Sequence, residues 1–186
     1  MIQETRYMSI NEAAQVLHLS VSTVKQWINC GVLLAKTTGE DEQLLGTSVE
    51  AILAERKNHS IISPVAPDVL KIAIVEDDLD LTKLLEMTIH GFEFKSQVHT
   101  STNGLSGLAL LCEFRPDVLI TDLNMPVMDG FRMINALENS ELAPKKLIVT
   151  TALSDSDIED RGGLPKRAIV IRKPFSLNEL ENKLKP

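Results

Sequence analysis

The chain has 186 residues, is 44% hydrophobic and carries a formal net charge of −7, enough for one full domain and a small one and a balance that favours solubility over attraction to nucleic acid. Its two cysteines, Cys30 and Cys112, fall in different proposed domains and point to reduced thiols rather than a disulfide framework. Met1 to Ile10 lacks the apolar core of a secretory signal, and no run is long enough to cross a bilayer, so a cytoplasmic location without membrane contact is expected.

In chain order, Ser9-Ile10-Asn11-Glu12 has the form of a capping box. It opens a helix to about His18 with Ile10, Ala13, Ala14 and Leu17 as its apolar stripe. Ser20 can cap a second helix through Asn29, Gly31 is placed to end it, and Trp27 faces inward by spacing. The short turn Leu17-His18-Leu19 suits a helix-turn-helix. Together with Leu19-Ser20-Val21-Ser22-Thr23-Val24-Lys25-Gln26-Trp27, Gly31 and Val32-Leu33, this pattern resembles the MerR/excisionase-like winged helix-turn-helix over roughly Tyr7 to Lys57. The resemblance implies wing strands at Leu33 to Lys36 and Gln43 to Leu45, then a helix opened by Thr47-Ser48-Val49-Glu50.

It also implies that the second helix enters the major groove of DNA, with Ser22, Thr23, Lys25 and Gln26 as contacts. Gln26 suits an adenine edge and Lys25 a guanine or phosphate, while the Ser22 and Thr23 hydroxyls suit phosphates. Charge opposes that use. Up to His59 the acids Glu4, Glu12, Glu40, Asp41, Glu42, Glu50 and Glu55 outnumber the bases Arg6, Lys25, Lys36, Arg56 and Lys57, whereas DNA affinity draws on phosphate neutralisation. The acidic Glu40-Asp41-Glu42 would be repelled by the backbone.

Residues 58–68 contain Pro64 and Pro67 among polar residues and read as an extended linker between domains at 1–57 and 69–186. Beyond it, four apolar runs each end in polar groups. Lys71 to Val75 meets Glu76-Asp77-Asp78, and Leu119-Ile120-Thr121 meets Asp122. Leu147 to Val149 meets Thr150-Thr151-Ala152, and Ala168 to Ile171 meets Arg172-Lys173-Pro174-Phe175. Continuous apolar runs are the signature of strands buried on both faces of a parallel sheet. Helical patterns over Leu81 to His90, Leu105 to Phe114 and Gly130 to Glu138 supply crossovers, and Glu93 to Val98 alternates like an edge strand. The expected class is α/β: a five-stranded doubly wound parallel sheet with a small amino-terminal domain.

The acidic cluster, Asp122-Leu123-Asn124-Met125-Pro126-Val127-Met128-Asp129-Gly130, Thr151-Ala152 and Lys173-Pro174-Phe175 occur in the order found in receiver domains of two-component response regulators, a flavodoxin-like family. The resemblance runs from about Val69 to Lys185 and implies the strand order 2-1-3-4-5. Asp122, Asp77 and Glu76 crowd negative charge at one sheet edge, a cost that a hard divalent cation offsets. Magnesium suits them, with Asp77, Asp122 and the Asn124 carbonyl as ligands and Glu76 through water; calcium stays open, and no Cys/His pattern suggests zinc. By the resemblance, Asp122 is the nucleophile that takes a phosphoryl group from a histidine kinase. Thr151 and Lys173 would hold the phosphoryl oxygens. The chain is then a phosphoacceptor with at most intrinsic autophosphorylation and autodephosphorylation, not an enzyme.

One position and one segment depart from the family. The residue three before Lys173, commonly aromatic, is Val170, and Ser154 to Pro165 is acidic with a Gly-Gly break, so its helix should be short, as should the last helix, Leu177 to Leu184. A phosphorylation-driven homodimer through these elements is therefore less secure than the phosphorylation chemistry. The leading expectation is a transcription-controlling response regulator. The rivals are a phosphorylation-dependent adaptor whose helix-turn-helix binds protein, and a receiver that no longer takes phosphate.

Overall fold

Ser9 sets the start of the first helix by a reciprocal cap: its hydroxyl accepts from Glu12 N at 3.2 Å while Glu12 Oε2 accepts from Ser9 N at 2.7 Å. These bonds satisfy amides that a helix start leaves without partners. In the computed structural model, which describes residues 6–38, 41–58 and 68–185 and only the backbone of 37, 38, 41, 42 and 58, α1 (Ile10–Leu17) follows and buries Ala13, Ala14 and Leu17. His18 closes it in the left-handed region, and Ser20 caps α2 (Val21–Asn29). Gly31, at φ +71°, reverses the chain where a side chain would be strained.

A small antiparallel sheet comes next. Strands β2 (Ala35–Thr38) and β3 (Asp41–Leu45) pair, and β1 (Tyr7–Ser9) lines the other edge of β3. Helix α3 (Gly46–Asn58) starts earlier than the Thr47-Ser48-Val49-Glu50 pattern predicts. The Ser48 hydroxyl instead accepts from Leu34 N at 3.1 Å and donates to Leu45 O at 2.7 Å, tying the strand ends to the helix. The predicted acidic tip at Glu40 and most of the linker, residues 59–67, lie outside the described residues.

The larger region alternates strand and helix: β4 (Leu70–Val75), α4 (Leu79–His90), β5 (Ser96–Ser101), α5 (Gly104–Phe114), β6 (Val118–Asp122), α6 (Gly130–Leu137), β7 (Lys146–Thr151), α7 (Asp155–Asp160), β8 (Ala168–Arg172) and α8 (Leu177–Leu184). All pairs are parallel, in the order β5-β4-β6-β7-β8, as the doubly wound expectation requires. The edge strand differs in position: Ser96–Ser101, not Glu93 to Val98. Phe92 and Phe94, 5.6 Å apart, anchor the turn into the core, and β4 pairs from Leu70↔Ser96 to Val75↔Ser101. The first half of the predicted run, 93–95, is thus a packed turn, and its second half, 96–98, begins the strand.

Each face of the sheet has its own core. Ile72, Ile74, Ile120, Ile148 and Ile171 pack with Leu85 and Ile89 of α4 and Leu180 of α8. Ala73, Val75, Leu119 and Val149 pack with α5 and α6, and this second cluster continues without a break into Ala13, Leu17, Trp27, Leu33 and Ile52 of the amino-terminal region. The two regions are joined by a shared apolar core as well as by the chain. No helix among the described residues is long and apolar enough to cross a membrane.

Candidate functional site

Parallel strands in register end at the same edge, and the register here aligns Val75 with Thr121, Asp122 with Thr150 and Thr151 with Arg172. Glu76 and Asp77 just beyond β4, Asp122 at the end of β6, Thr151 at the end of β7 and Lys173 just beyond β8 therefore share the carboxyl edge of the sheet, where open α/β sheets bind ligands. Glu76, Asp77 and Asp122 can each offer one carboxylate oxygen within 4.8 Å of the others. Lys173 Nζ donates to Glu76 Oε2 at 2.8 Å and to Asp122 Oδ2 at 3.0 Å. Asp122 Oδ1 accepts from Leu123 N at 2.6 Å, which orients the carboxylate at both oxygens.

Burial pushes the Glu76 carboxyl up, and the nearby Asp122 adds to this; the bonds to Lys173 oppose it. For Lys173 burial works downward, yet the bonds to Glu76 and Asp122 outweigh it and hold the ammonium above its ordinary value. The site thus sets three carboxylates against one firmly charged ammonium. The remaining negative charge and the all-oxygen donor set fit a hard divalent cation.

The loop after β6 explains its own residues. A Cβ on Gly130 would sit 2.1 Å from Asp122 O, so only glycine lets α6 start this close to the end of β6. Asp129 caps α6 by accepting from Arg132 N at 2.8 Å. Val127 holds φ at +65°, an uncommon conformation for a β-branched residue.

The Thr151 hydroxyl, fully buried, accepts from Leu153 N at 3.2 Å. Its neighbour Thr150 donates through Oγ1 to Thr121 O at 3.4 Å. Asn124, expected to act through its backbone carbonyl, is exposed, and its side-chain Oδ1 accepts from Arg161 at 2.6 Å. Arg161, not anticipated from sequence, also reaches Asp129 Oδ2 at 3.2 Å and lies 4.4 Å over the Phe131 ring. An arginine beyond an acidic helix carries no local pattern that aims it at a loop far upstream.

The predicted DNA contacts divide. Ser22 and Lys25 are exposed, whereas Thr23 is buried and Gln26 Nε2 donates to Asn135 O of α6 at 3.0 Å. In this arrangement Thr23 and Gln26 face the larger domain instead of solvent. Glu141, also missed by sequence, accepts from Ser20 N at 2.6 Å and from the hydroxyls of Ser20 and Thr23. Burial works upward on its carboxyl, but the bonds from Thr23 and Ser20 prevail and lower it to about 2.

Comparison with known proteins agrees with this geometry. The model of the response regulator receiver domain matches residues 72–185, and the chain belongs to this family. The transcriptional regulatory protein PrrA of Mycobacterium bovis is 34% identical over 119 residues, 62% of this chain and 48% of PrrA. Protein-glutamate methylesterase/protein-glutamine glutaminase 5 of Myxococcus xanthus is 28% identical over 118 residues, 63% of this chain and 32% of that protein. The chain thus spans half or less of these relatives' lengths. Among solved structures, the receiver domain of the sensor histidine kinase PA1611 from Pseudomonas aeruginosa superposes with a TM-score of 0.53 at 21% identity, covering 61% of this chain and 93% of that one.

Proposed function

We propose that Asp122 accepts a phosphoryl group from a phosphohistidine of a partner histidine kinase, with magnesium, and that the amino-terminal region converts this event into control of transcription. The observation that carries the reading is the Lys173 ammonium bonded at once to Asp122 and Glu76, beside the exposed Asp77. In the proposed reaction an Asp122 oxygen attacks phosphorus as the bond to the donor nitrogen breaks. Lys173 then moves its bond from the carboxylate to a phosphoryl oxygen, and the Thr151 hydroxyl, which accepts from Leu153 N, donates to another. Glu76, Asp77, Asp122 and the Asn124 carbonyl would hold the ion, whose role is to neutralise phosphoryl charge. Support comes from the donor set and from the PA1611 structure, whose magnesium is coordinated in its active-site cleft.

For the output, the order helix, helix, hairpin, helix supports a MerR/excisionase-like winged helix-turn-helix, with α2 as its reading helix. PrrA, named a transcriptional regulatory protein, supports transcription as the controlled process, while the other relative is named a methylesterase/glutaminase. A second reading, a protein-binding adaptor, is favoured by one observation: Thr23 and Gln26 already engage protein.

The chemistry is tested by incubating the chain with magnesium and a small acyl phosphate and measuring intact mass. The wild type gains one phosphoryl group and Asp122→Asn does not; an unmodified wild type refutes the proposal. For the output, recovery of genomic DNA with and without phosphorylation decides: no enriched sites, beside a stable protein partner, selects the adaptor.

A further inference from the structure

The receiver sheet carries opposite charge at its two edges. The carboxyl edge holds Glu76, Asp77 and Asp122. At the amino edge every strand is entered through a cation: β5 after Lys95, β4 with Lys71 as its second residue, β6 after Arg115, β7 after Lys145 and β8 after Arg167. The five strands are parallel neighbours in one sheet, so these residues form a row. Adjacent strands lie about 4.8 Å apart, which makes the row about 20 Å long. That is the axial length of about six nucleotides of one DNA strand.

Three members of the row pair with acids at the surface: Lys95 with Asp68 at 2.7 Å, Lys145 with Asp117 at 2.9 Å and Arg167 with Glu138 at 2.7 Å. Surface pairs add little to stability, so another anion displaces them at small cost. Arg115 Nη1 donates to the Glu141 carbonyl at 2.9 Å, and the Lys71 ammonium lies 4.9 Å over the Phe114 ring. Burial pushes the Lys71 ammonium down; Asp117 draws it back up, while Arg115 and Lys145 push it down again, as positive charge crowded round Asp117 requires. A phosphate placed here would relieve that crowding.

Arg115 joins the row to the start of α2. The Glu141 carbonyl takes its bond, and the carboxylate of the same residue accepts from Ser20 N at 2.6 Å and from Ser20 Oγ at 2.9 Å. Ser22 and Lys25 of α2 are exposed in this arrangement. The amino-terminal region is itself short of phosphate-neutralising charge, since its acids outnumber its bases. We propose that the amino edge of the receiver sheet supplies the phosphate contacts which that region lacks, one duplex lying across the exposed side of α2 and the cationic row. The proposal rests on the reading of the amino-terminal region as DNA-binding. Contacts of this kind add affinity and fix register without sequence preference.

The test measures binding of the full chain to a random-sequence duplex over a range of salt concentrations. Lys145→Gln removes one exposed cation of the row, and Arg115→Gln together with Lys145→Gln removes two. Lys83→Gln, exposed on α4, makes the same change in net charge as Lys145→Gln away from the row and serves as the control. Each lost phosphate contact should lower the slope of log K against log salt by about one, and the double variant should bind about tenfold more weakly at low salt. The control should keep the wild-type slope. Trp27, the one tryptophan of the chain, reports by its emission whether α2 has left its place; should the double variant shift that emission, Lys145→Gln alone decides, because its side chain pairs with Asp117 of the receiver. Duplex binding by the wild type that Lys25→Gln weakens, with slopes in the row variants equal to the control, overturns the proposal and leaves the DNA reading standing. No duplex binding by the wild type at low salt refutes the DNA reading, and the proposal with it.

Discussion

Lys173 Nζ lies 2.8 Å from Glu76 Oε2, and the Glu76 side chain is only 2% exposed, so one ammonium from the end of β8 compensates a buried carboxylate at the end of β4. Removing one partner of such a pair leaves an uncompensated charge. Lys173→Met should cost about 2–3 kcal/mol at neutral pH in the presence of a chelator, below the usual range for a buried pair because the lysine retains some exposure. Burial already raises the Glu76 carboxyl, and loss of Lys173 raises it further. A raised carboxyl contributes stability below its unfolded value of 4.5 and loses it as pH climbs through the folded value, so the variant's deficit narrows in acid. Thermal melts of both proteins across pH check this; a deficit independent of pH contradicts it.

Gly130→Ala introduces a Cβ 2.1 Å from Asp122 O and 2.9 Å from Leu123 Cα, both backbone atoms that can yield only by moving the end of β6. A stability loss of about 1–3 kcal/mol is expected from the overpacking. Displacement of Asp122 should also abolish any melting-temperature increase that magnesium gives the wild type. Differential scanning with and without magnesium measures both effects.

Val127, at φ +65° and 77% exposed, pays for a left-handed backbone with no packing in return. Val127→Gly removes that strain while adding chain entropy to the unfolded state, for a net gain of up to about 1 kcal/mol. Chemical denaturation should show a higher midpoint with an unchanged slope; a lower midpoint would mean the side chain contributes contacts worth more than the strain.

The Glu141 carboxyl, held down to about 2 by Thr23 and Ser20, gives the docking of α2 a defined pH response. A lowered carboxyl contributes stability above its unfolded value of 4.5 and loses it as pH falls toward about 2. Trp27 emission should therefore shift red over this acid window in the wild type. Glu141→Gln should lack that component, and stopped titrations of the two proteins compare them directly.

Much of the site at the sheet edge is legible in the amino acid sequence. Strands buried on both faces must be continuously apolar, so their ends are marked by the first polar residue, and parallel pairing delivers those ends to one edge. That reasoning reaches Glu76, Asp77, Asp122, Thr151 and Lys173, and their adjacency follows from the register. It misplaces the edge strand because Phe92 and Phe94 mimic alternation while packing a turn. Arg161 is invisible to it because a long cationic side chain chooses its acceptors by tertiary proximity to Asn124 and Asp129.

The amino acid sequence by itself determined most of the elements, the caps at Ser9 and Ser20 and the residue types along the sheet edge, since these depend on local periodicity or on strand ends; it did not reach β1 or the bounds of β5. Only the tertiary structure decided that the apolar stripe of α1 and α2 is continuous with the receiver core, and that Glu141 meets Ser20 and Thr23 more than a hundred residues away. Contacts across that separation leave no period and no spacing in the chain. They arise when two apolar faces, each readable alone, find that burying one against the other removes more surface from water than leaving both exposed.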